Sequence, residues 1–304
     1  MSLTSLRGRY RGGVTLPIAE TLVHYADGAL TSDGTVVHVG STQDGRLAAV
    51  LDTTAAHPVD AAWPDQGADR GTLEISGRSI HLDDCVVGAT DGDAVFYGAD
   101  VPVKKGTEGW TFFVAHIVSP DEQVSVGDAV RVTIDEGYRV AVSAGHTGCH
   151  LASLALNLAL APGWSKEVMV DAAGSPNFDA LAIDSSTITK FASVDVYRLG
   201  KSLRRKGFAP AFLVDDLAAV QESINATLSE WAASDAAIRI EHEDNLLTGR
   251  RYWLAELPSG TVSIPCGGTH LTSLAQAAAI AVSLTVGDDN GTPTVRMETV
   301  VTPA

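Results

Sequence analysis

The sequence predicts an α+β protein built from a β-rich first part and a mixed second part. Two observations carry this. Up to about residue 130, short apolar or alternating runs are separated by turn residues, as in a folded-over sheet or barrel-like array. Beyond it, long stretches with apolar residues at helical spacing alternate with further strand-like runs. No internal repeat and no low-complexity linker divides the chain, so the expected organisation is a β-barrel-like domain over 1–130 and an α+β metal-binding domain over 131–304, its antiparallel sheet covered by helices.

In chain order, the runs 34–39, 46–51, 71–75, 93–97 and 110–118 read as strands, being β-branched or alternating between apolar and polar. Gly127-Asp128 marks a turn, after which 129–134 and 138–142 suit one more hairpin. The segment 146–161 reads as a helix: it lacks Pro, has no Gly after Gly148 and stops at Pro162-Gly163. Leu151, Leu154, Ala155 and Leu158 form its core stripe, and His146, His150, Ser153 and Asn157 fall on a narrower polar stripe. Cys149 lies off that line and is expected to be a small buried residue. A second helix is expected from near Ser193 or Asp195 to Gly207, and a third over 216–233, capped by Asp215, with Leu217, Val220, Ile224 and Leu228 inward. Strands are expected at 237–241, 251–257 and 260–264, then a helix from Leu271 and a strand pair at 279–286 and 294–301.

Composition bounds the function classes. The 304 residues suffice for a sizeable core, and 45% hydrophobic with 19% charged residues describes a soluble globular chain. No apolar run approaches the roughly 20 residues of a membrane span, and the N-terminus lacks a signal-peptide core. Three cysteines make a disulfide framework implausible and fit a reducing cytoplasm. The net charge of −16 repels phosphate, which disfavours broad nonspecific nucleic-acid binding. One basic cluster interrupts it: Arg198, Lys201, Arg204, Arg205 and Lys206 fit either a solvated helical face or a local phosphate contact.

Two four-residue spacings carry the chemistry. His146-Thr-Gly-Cys-His150 and Cys266-Gly-Gly-Thr-His270 together offer three imidazoles and one thiolate, the donor set of a tetrahedral zinc site. A pair at i, i+4 on a helix presents both imidazoles on one face, and Gly267-Gly268 lets the second pair converge. One Zn²⁺ per chain is therefore expected on His146, His150, Cys266 and His270. His24, His38, His81, His116 and His242 have no partner at ligand spacing, and Asp83-Asp84 and Asp288-Asp289 read as turns.

These same residues resemble a known family. VTIDEGYRVAVSAGHTGCHLASLAL is similar to the segment entering the metal-binding helix of the editing domains of alanyl- and threonyl-tRNA synthetases, and SIPCGGTH to their Cys-x-x-Thr-His element. DDLAAVQESINATLSEW resembles a family helix with an Asn near Asn225, and Leu51-Asp52-Thr53-Thr54-Ala55-Ala56-His57-Pro58 and Gln66-Gly67-Ala68-Asp69-Arg70-Gly71 resemble two N-terminal motifs. From about residue 14 onward the order matches the free-standing alanyl-tRNA editing proteins (AlaX type). There are departures: Pro64-Asp65 replaces a double glycine, Ala56 stands where an aromatic is usual, and the interval from His57 to Gln66 is longer.

The resemblance implies a cytoplasmic, zinc-dependent aminoacyl-tRNA deacylase acting in trans on Ser- or Gly-tRNA(Ala). Thr54, Gln66 and Thr269 would surround the amino acid and the attacking water. Lys201, Arg204 and Arg205 would hold the acceptor stem while the CCA end reaches the zinc. The altered 57–66 loop and the acidic surface leave two other classes open, a metal hydrolase of a small ester or amide and a non-catalytic zinc module.

Overall fold

The computed structural model describes residues 16–304. It has mixed helices and antiparallel sheets, the α+β class that the pattern predicts. In the first part, β1 (Leu22–Val23), β2 (Thr31–Ser41), β3 (Leu47–Leu51), β4 (Thr53–Thr54), β5 (Gly71–Ile75), β6 (Arg78–Leu82), β7 (Asp84–Thr90), β8 (Val95–Tyr97), β9 (Thr111–Val118) and β10 (Ala129–Ile134) follow one another. Eight of them form one sheet in the order β6-β5-β10-β2-β3-β9-β7-β8, every ladder antiparallel. That order runs from one edge to another, so the sheet curls without closing into a hydrogen-bonded barrel. Alternation along β9 explains how it buries both faces: Phe112, Val114 and Val118 enter one core, and Phe113, Ala115 and Ile117 enter the other.

The second part runs through α1 (Glu136–Leu160), α2 (Phe178–Ala182), β11 (Ile183–Thr189), β12 (Ala192–Arg198), α3 (Lys201–Arg205), α4 (Pro210–Val214), α5 (Leu217–Ala232), β13 (Ile238–His242), β14 (Arg251–Leu257), β15 (Gly260–Pro265), β16 (Ala277–Asp289) and β17 (Thr292–Pro303). Strands β11-β12-β17-β16 make a four-stranded antiparallel sheet, and β13-β14-β15 a three-stranded one. Helices α1 and α5 share one apolar core with both, including Leu151, Ala155, Ile224, Leu228, Trp253 and Met297. Edge strand β16 is covered by α5: the Asn225 side chain donates to Val282 O at 3.0 Å and accepts from Val282 N at 2.7 Å, and Gln221 Oε1 accepts from Leu284 N. No helix among the described residues is long and apolar enough to cross a membrane.

Five expectations are corrected. Residues 138–142 are not a strand, because the Asp135 side chain accepts from Tyr138 N at 2.9 Å and caps α1, which starts at Glu136, ten residues before His146. The basic stretch is not one helix: Ser193-Val-Asp-Val-Tyr alternates as β12, Leu199-Gly200 breaks it, and α3 is a short turn of helix. Leu271 opens no α-helix; Ser273 and Gln276 close a capping box around one 3₁₀ turn. Helix α5 starts after Asp216 rather than Asp215, and Leu158 of the assigned α1 stripe is half-exposed.

Close approach explains Gly145 of α1. A Cβ on Gly145 would overlap the backbone at Thr189 and Ala192, so glycine lets the helix press onto the β11–β12 turn. The two halves of the chain are joined by a buried ion pair. Arg139 of α1 forks onto Asp69, its Nε reaching Oδ1 at 2.8 Å, and also donates to Ala55 O at 2.9 Å.

Candidate metal centre

Helix α1 sets His146 and His150 one turn apart, with ring centroids 4.8 Å from each other. The second pair comes from the loop after β15, anchored where Cys266 N donates to Arg251 O at 3.0 Å. The potential ligand atoms of His146, His150, Cys266 and His270 all lie within 4.8 Å of one another. Cys266 Sγ is 3.4 Å from His146 Nε2 and 3.3 Å from His270 Nε2. Usual zinc–sulfur and zinc–nitrogen bond lengths give a tetrahedral S···N edge of about 3.5 Å, so those spacings suit one shared ion.

The protonation chemistry of the cluster points the same way. Burial pushes the His150 imidazole down to about 4 and holds His146 and His270 well below the ordinary range, the neighbouring imidazoles adding to the effect. Burial also pushes the Cys266 thiol up to about 12, against a small opposing pull from the Gly268 N–H. Three neutral imidazoles and a thiol form a nest with no positive charge, and a cation is what would make the thiolate favourable. His150 Nε2 is sealed from solvent and has no hydrogen-bond partner. An orphaned nitrogen at this position is explained by a metal ion that accepts its lone pair.

Neighbouring groups fix which nitrogens face the cluster. Thr269 N–H donates to Gln66 Oε1 at 3.1 Å, and an N–H can only donate, so the Gln66 amide orientation is settled. His146 Nδ1 lies 2.6 Å from that same Oε1 and must carry the proton, which leaves Nε2 as the free donor atom for a metal. His270 Nδ1 rests 3.3 Å from Thr147 Oγ1, leaving its Nε2 toward Cys266. Gly268 sits against this pair; any Cβ there would collide with the His146 ring and Gln66 Oε1.

Gln66 and Thr269 are thus brought to the cluster, 203 positions apart in sequence, with Gln66 Nε2 donating to Thr269 Oγ1 at 2.9 Å. Thr54 hydrogen-bonds neither of them. It is fully buried, donates to His116 Nε2 at 2.8 Å and accepts from Ala56 N at 3.0 Å. Lys201, Arg204 and Arg205 are exposed on α3, which is tied to the far end of α1: Ala209 N donates to Gly163 O and Ser165 N to Gly207 O, both at 2.9 Å. From His150 to Leu160 the helix alone rises about 15 Å, so this basic cluster stands well away from the histidines.

A cleft of about 430 Å³ opens beside the cluster, its lining including Tyr25, Arg139, Ser143, Thr269 and His270. Sequence reasoning did not single out Ser143, whose Oγ is 2.9 Å from Thr269 Oγ1, nor Thr147 beneath His270. Thr147 carried a usable signal, since a hydroxyl between two ligands one helical turn apart is placed to serve them. Ser143 carried none, lying among small residues of an apolar-looking stretch.

Similarity to known proteins follows the same line. A stretch of 138 residues is 31% identical to the mitochondrial alanine–tRNA ligase of Homo sapiens and takes in 45% of this chain. The match spans only 12% of that enzyme's length. No protein-family model matches the chain.

Proposed function

We propose that this protein is a zinc-dependent deacylase that acts in trans on mischarged tRNA(Ala), removing serine or glycine, with one Zn²⁺ held by His146, His150, Cys266 and His270. The observation that carries the reading is the His/Cys cluster with its Gln66–Thr269 bracket on the wall of an open cleft. The similarity to an alanine–tRNA ligase supports the tRNA class, and the motif order from about residue 14 supports a free-standing AlaX-type protein working in the cytoplasm. The proposed division places the sheet-rich domain at 1–130 and the editing domain at 131–304.

Bound zinc would supply Lewis-acid polarisation, which can activate a water or orient the substrate carbonyl. The protein's own groups do the rest. An aminoacyl ester is already activated, so hydrolysis needs a placed water and a donor for the charge that develops on the carbonyl oxygen. Thr269, next to ligand His270 and facing the cleft, is the hydroxyl within reach of such a substrate. Gln66 fixes the Thr269 hydroxyl and the His146 ring at once, so it acts by positioning. Thr54, whose hydroxyl bonds are spent on His116 and Ala56, supports the wall rather than the substrate. The Arg139–Asp69 pair keeps the cleft's two sides in register. Lys201, Arg204 and Arg205 would hold the acceptor stem at a distance while the CCA end enters the cleft.

Discrimination of one methylene or hydroxyl gives a synthetase about 1–3 kcal/mol, which is why hydrolysis after the fact is needed. The test is deacylation of Ser-, Gly- and Ala-tRNA(Ala) by purified protein with and without a chelator. Chelator-sensitive loss of the first two, with Ala-tRNA(Ala) spared, is the expected result; no deacylation of any of them refutes the reading. The net charge of −16 and the Pro64-Asp65 loop favour one competitor, a hydrolase of small esters or amides. Its rate would barely respond to salt, whereas tRNA deacylation falls steeply with it.

A further inference from the structure

We infer that Arg70, Tyr138 and Lys190 form a site for one phosphate group of an RNA backbone, on a face of α1 outside the cleft. The site is read from the surface geometry, and the choice of RNA over a free phosphate rests on the tRNA reading above.

Three distant segments bring these side chains together. Arg70 precedes β5, and its carbonyl accepts from Asp135 N at 2.8 Å. Tyr138 lies in the first turn of α1, its N–H held by the Asp135 cap. Lys190 occupies the turn between β11 and β12, which Phe191 pins on both sides: its N donates to Ala141 O and its O accepts from Val301 N, both at 2.7 Å. The backbone at all three positions is therefore fixed before any ligand arrives.

Both cations lean on one aromatic ring. The Arg70 guanidinium carbon is 4.4 Å from the Tyr138 ring centroid, and Lys190 Nζ is 5.2 Å from it. The ring draws each cation, yet it also brings them within about 10 Å of each other, where like charges repel. Neither side chain forms an ion pair or a hydrogen bond among the described residues, although the chain carries 37 acidic against 21 basic residues. Arg46, Arg131 and Arg239, by contrast, each grip a carboxylate. Tyr138 Oη has no hydrogen-bond partner among the described residues either, and it lies over Gly67, where a Cβ would come to 3.7 Å of it.

Two unpaired cations and a free hydroxyl around one point are complementary to a single tetrahedral anion. With charge-assisted bonds of about 2.8 Å, one phosphate spans about 8 Å between two cationic centres, an interval these two can adopt. Arg70 can present two parallel N–H bonds, and Lys190 a point charge. Asp135 and Glu136 open the same helix and keep the affinity for a lone anion low. A polynucleotide overcomes this, because a second contact of the same chain at Lys201, Arg204 and Arg205 adds through effective concentration. The site also lies near the chemistry. Tyr138 is about 12 Å along α1 from His146, and Gly67 adjoins Gln66, which brackets the cluster through His146 and Thr269. A phosphate held here anchors a strand near the metal cluster, whereas the α3 patch anchors it at the far end of the helix.

The test uses the zinc-loaded full-length protein, a fluorescent acceptor-stem minihelix of tRNA(Ala), and the pair variant Arg70→Gln with Lys190→Gln. A control pair, Arg46→Gln with Arg78→Gln, removes the same charge from turns of the β-rich part. Binding is followed by anisotropy across a salt series, and binding of 5′-AMP by calorimetry. The pair variant is expected to bind the minihelix about tenfold more weakly at low salt, with the salt slope shallower by about 0.7–0.9, the value of one phosphate. The control should stay within about twofold of wild type, with zinc content and melting temperature unchanged in both. Because both cations hold one phosphate, each single variant should lose most of the slope that the pair loses, and the singles serve as the test if the pair variant melts early. A slope change of about twice that value, with the singles adding, overturns the shared site, and so does an effect no larger than the control's. Wild type that binds 5′-AMP through Arg70 and Lys190 as tightly as the minihelix overturns the assignment to RNA. Wild type that deacylates Ser-tRNA(Ala) no better than the pair variant at any salt, with equal minihelix affinity, overturns this inference and leaves the deacylase reading standing. Wild type that shows the expected minihelix pattern yet deacylates no aminoacyl-tRNA overturns the deacylase reading alone.

Discussion

His116 and His150 have imidazoles pushed by burial to the same acidity, about 4, and they differ in what surrounds their nitrogens. In the β-rich part, His116 is satisfied at both: Ala49 O takes one bond and Thr54 Oγ1 gives the other. In the α+β part, His150 Nε2 is sealed without any partner, while Cys266, His146 and His270 converge on it. Two histidines with the same perturbed acidity thus differ in whether their nitrogens are satisfied. Desolvation with both nitrogens bonded marks a structural residue; desolvation plus an unfilled lone pair marks a candidate ligand.

The most forceful way to break this contrast is to remove the proposed ion. Cys266→Ala with His270→Ala should lose the metal and destabilise the second part by on the order of 5 kcal/mol or more, because the ion ties α1 to a loop 120 positions away. Metal analysis together with chemical denaturation reads both effects. Full metal occupancy in the double variant would remove the basis for treating His150 differently from His116.

Next in size is Arg139→Ala, which tests whether the two parts depend on one another. The partners Arg139 and Asp69 are 6% and 3% exposed, and deleting one leaves the other as an unpaired buried charge, at a cost of about 3–5 kcal/mol. Stability should fall while the metal stoichiometry stays at one. A loss of metal equal to that of the ligand variant would mean the cluster is not an independent unit of the α+β part.

A smaller effect isolates His116. Its folded acidity, about 4, lies below the unfolded value of about 6.5, so the unfolded chain takes up the proton first. The stability it contributes is whole above pH 6.5 and drains away as the pH falls toward 4. Between pH 7 and 5 this amounts to about 2 kcal/mol. His116→Gln, which keeps an acceptor for Thr54, should lose that much less over the same interval in denaturant titrations. An unchanged pH slope would show that the burial of His116 is not what the chain protects from acid.

How much of this is legible in the sequence depends on distance along the chain. The four proposed ligands announce themselves because each pair is local, at i, i+4, and the α5 stripe of Val220, Ile224 and Leu228 because helical period is local too. The start of α1 is hidden, since β-branched Val140 and Val142 outweigh a cap at Asp135 that only the third residue's N–H completes. The basic tail of β12 draws the strand toward a helical reading, although Val194, Asp195, Val196 and Tyr197 alternate inward and outward. Gln66 and Thr269 enter through motif resemblance, while the bond between them spans 203 positions and has no sequence signature. Ser143 is the sharpest case: its bond to Thr269 spans 126 positions and nothing in the local sequence marks it.

The two ends of α1 differ as well, and this contrast carries the smallest expected effect on the fold. Lys201, Arg204 and Arg205 project from α3 into solvent, and no carboxylate among the described residues forms an ion pair with them. Replacing all three with alanine should leave metal content and melting temperature within error of wild type, because exposed charges contribute little to stability. Binding to tRNA should weaken clearly, and the slope of log affinity against log salt should become shallower by roughly 0.7–0.9 for each phosphate no longer neutralised. A chain of net charge −16 has few other places to meet a phosphate, which is why so small a patch can matter. The measurement is a salt titration of tRNA binding for both proteins alongside deacylation at low salt. Equal rates and parallel slopes would show that the acceptor stem does not dock at this end of the helix, and the proposed division of labour between its histidine end and its basic end would fall.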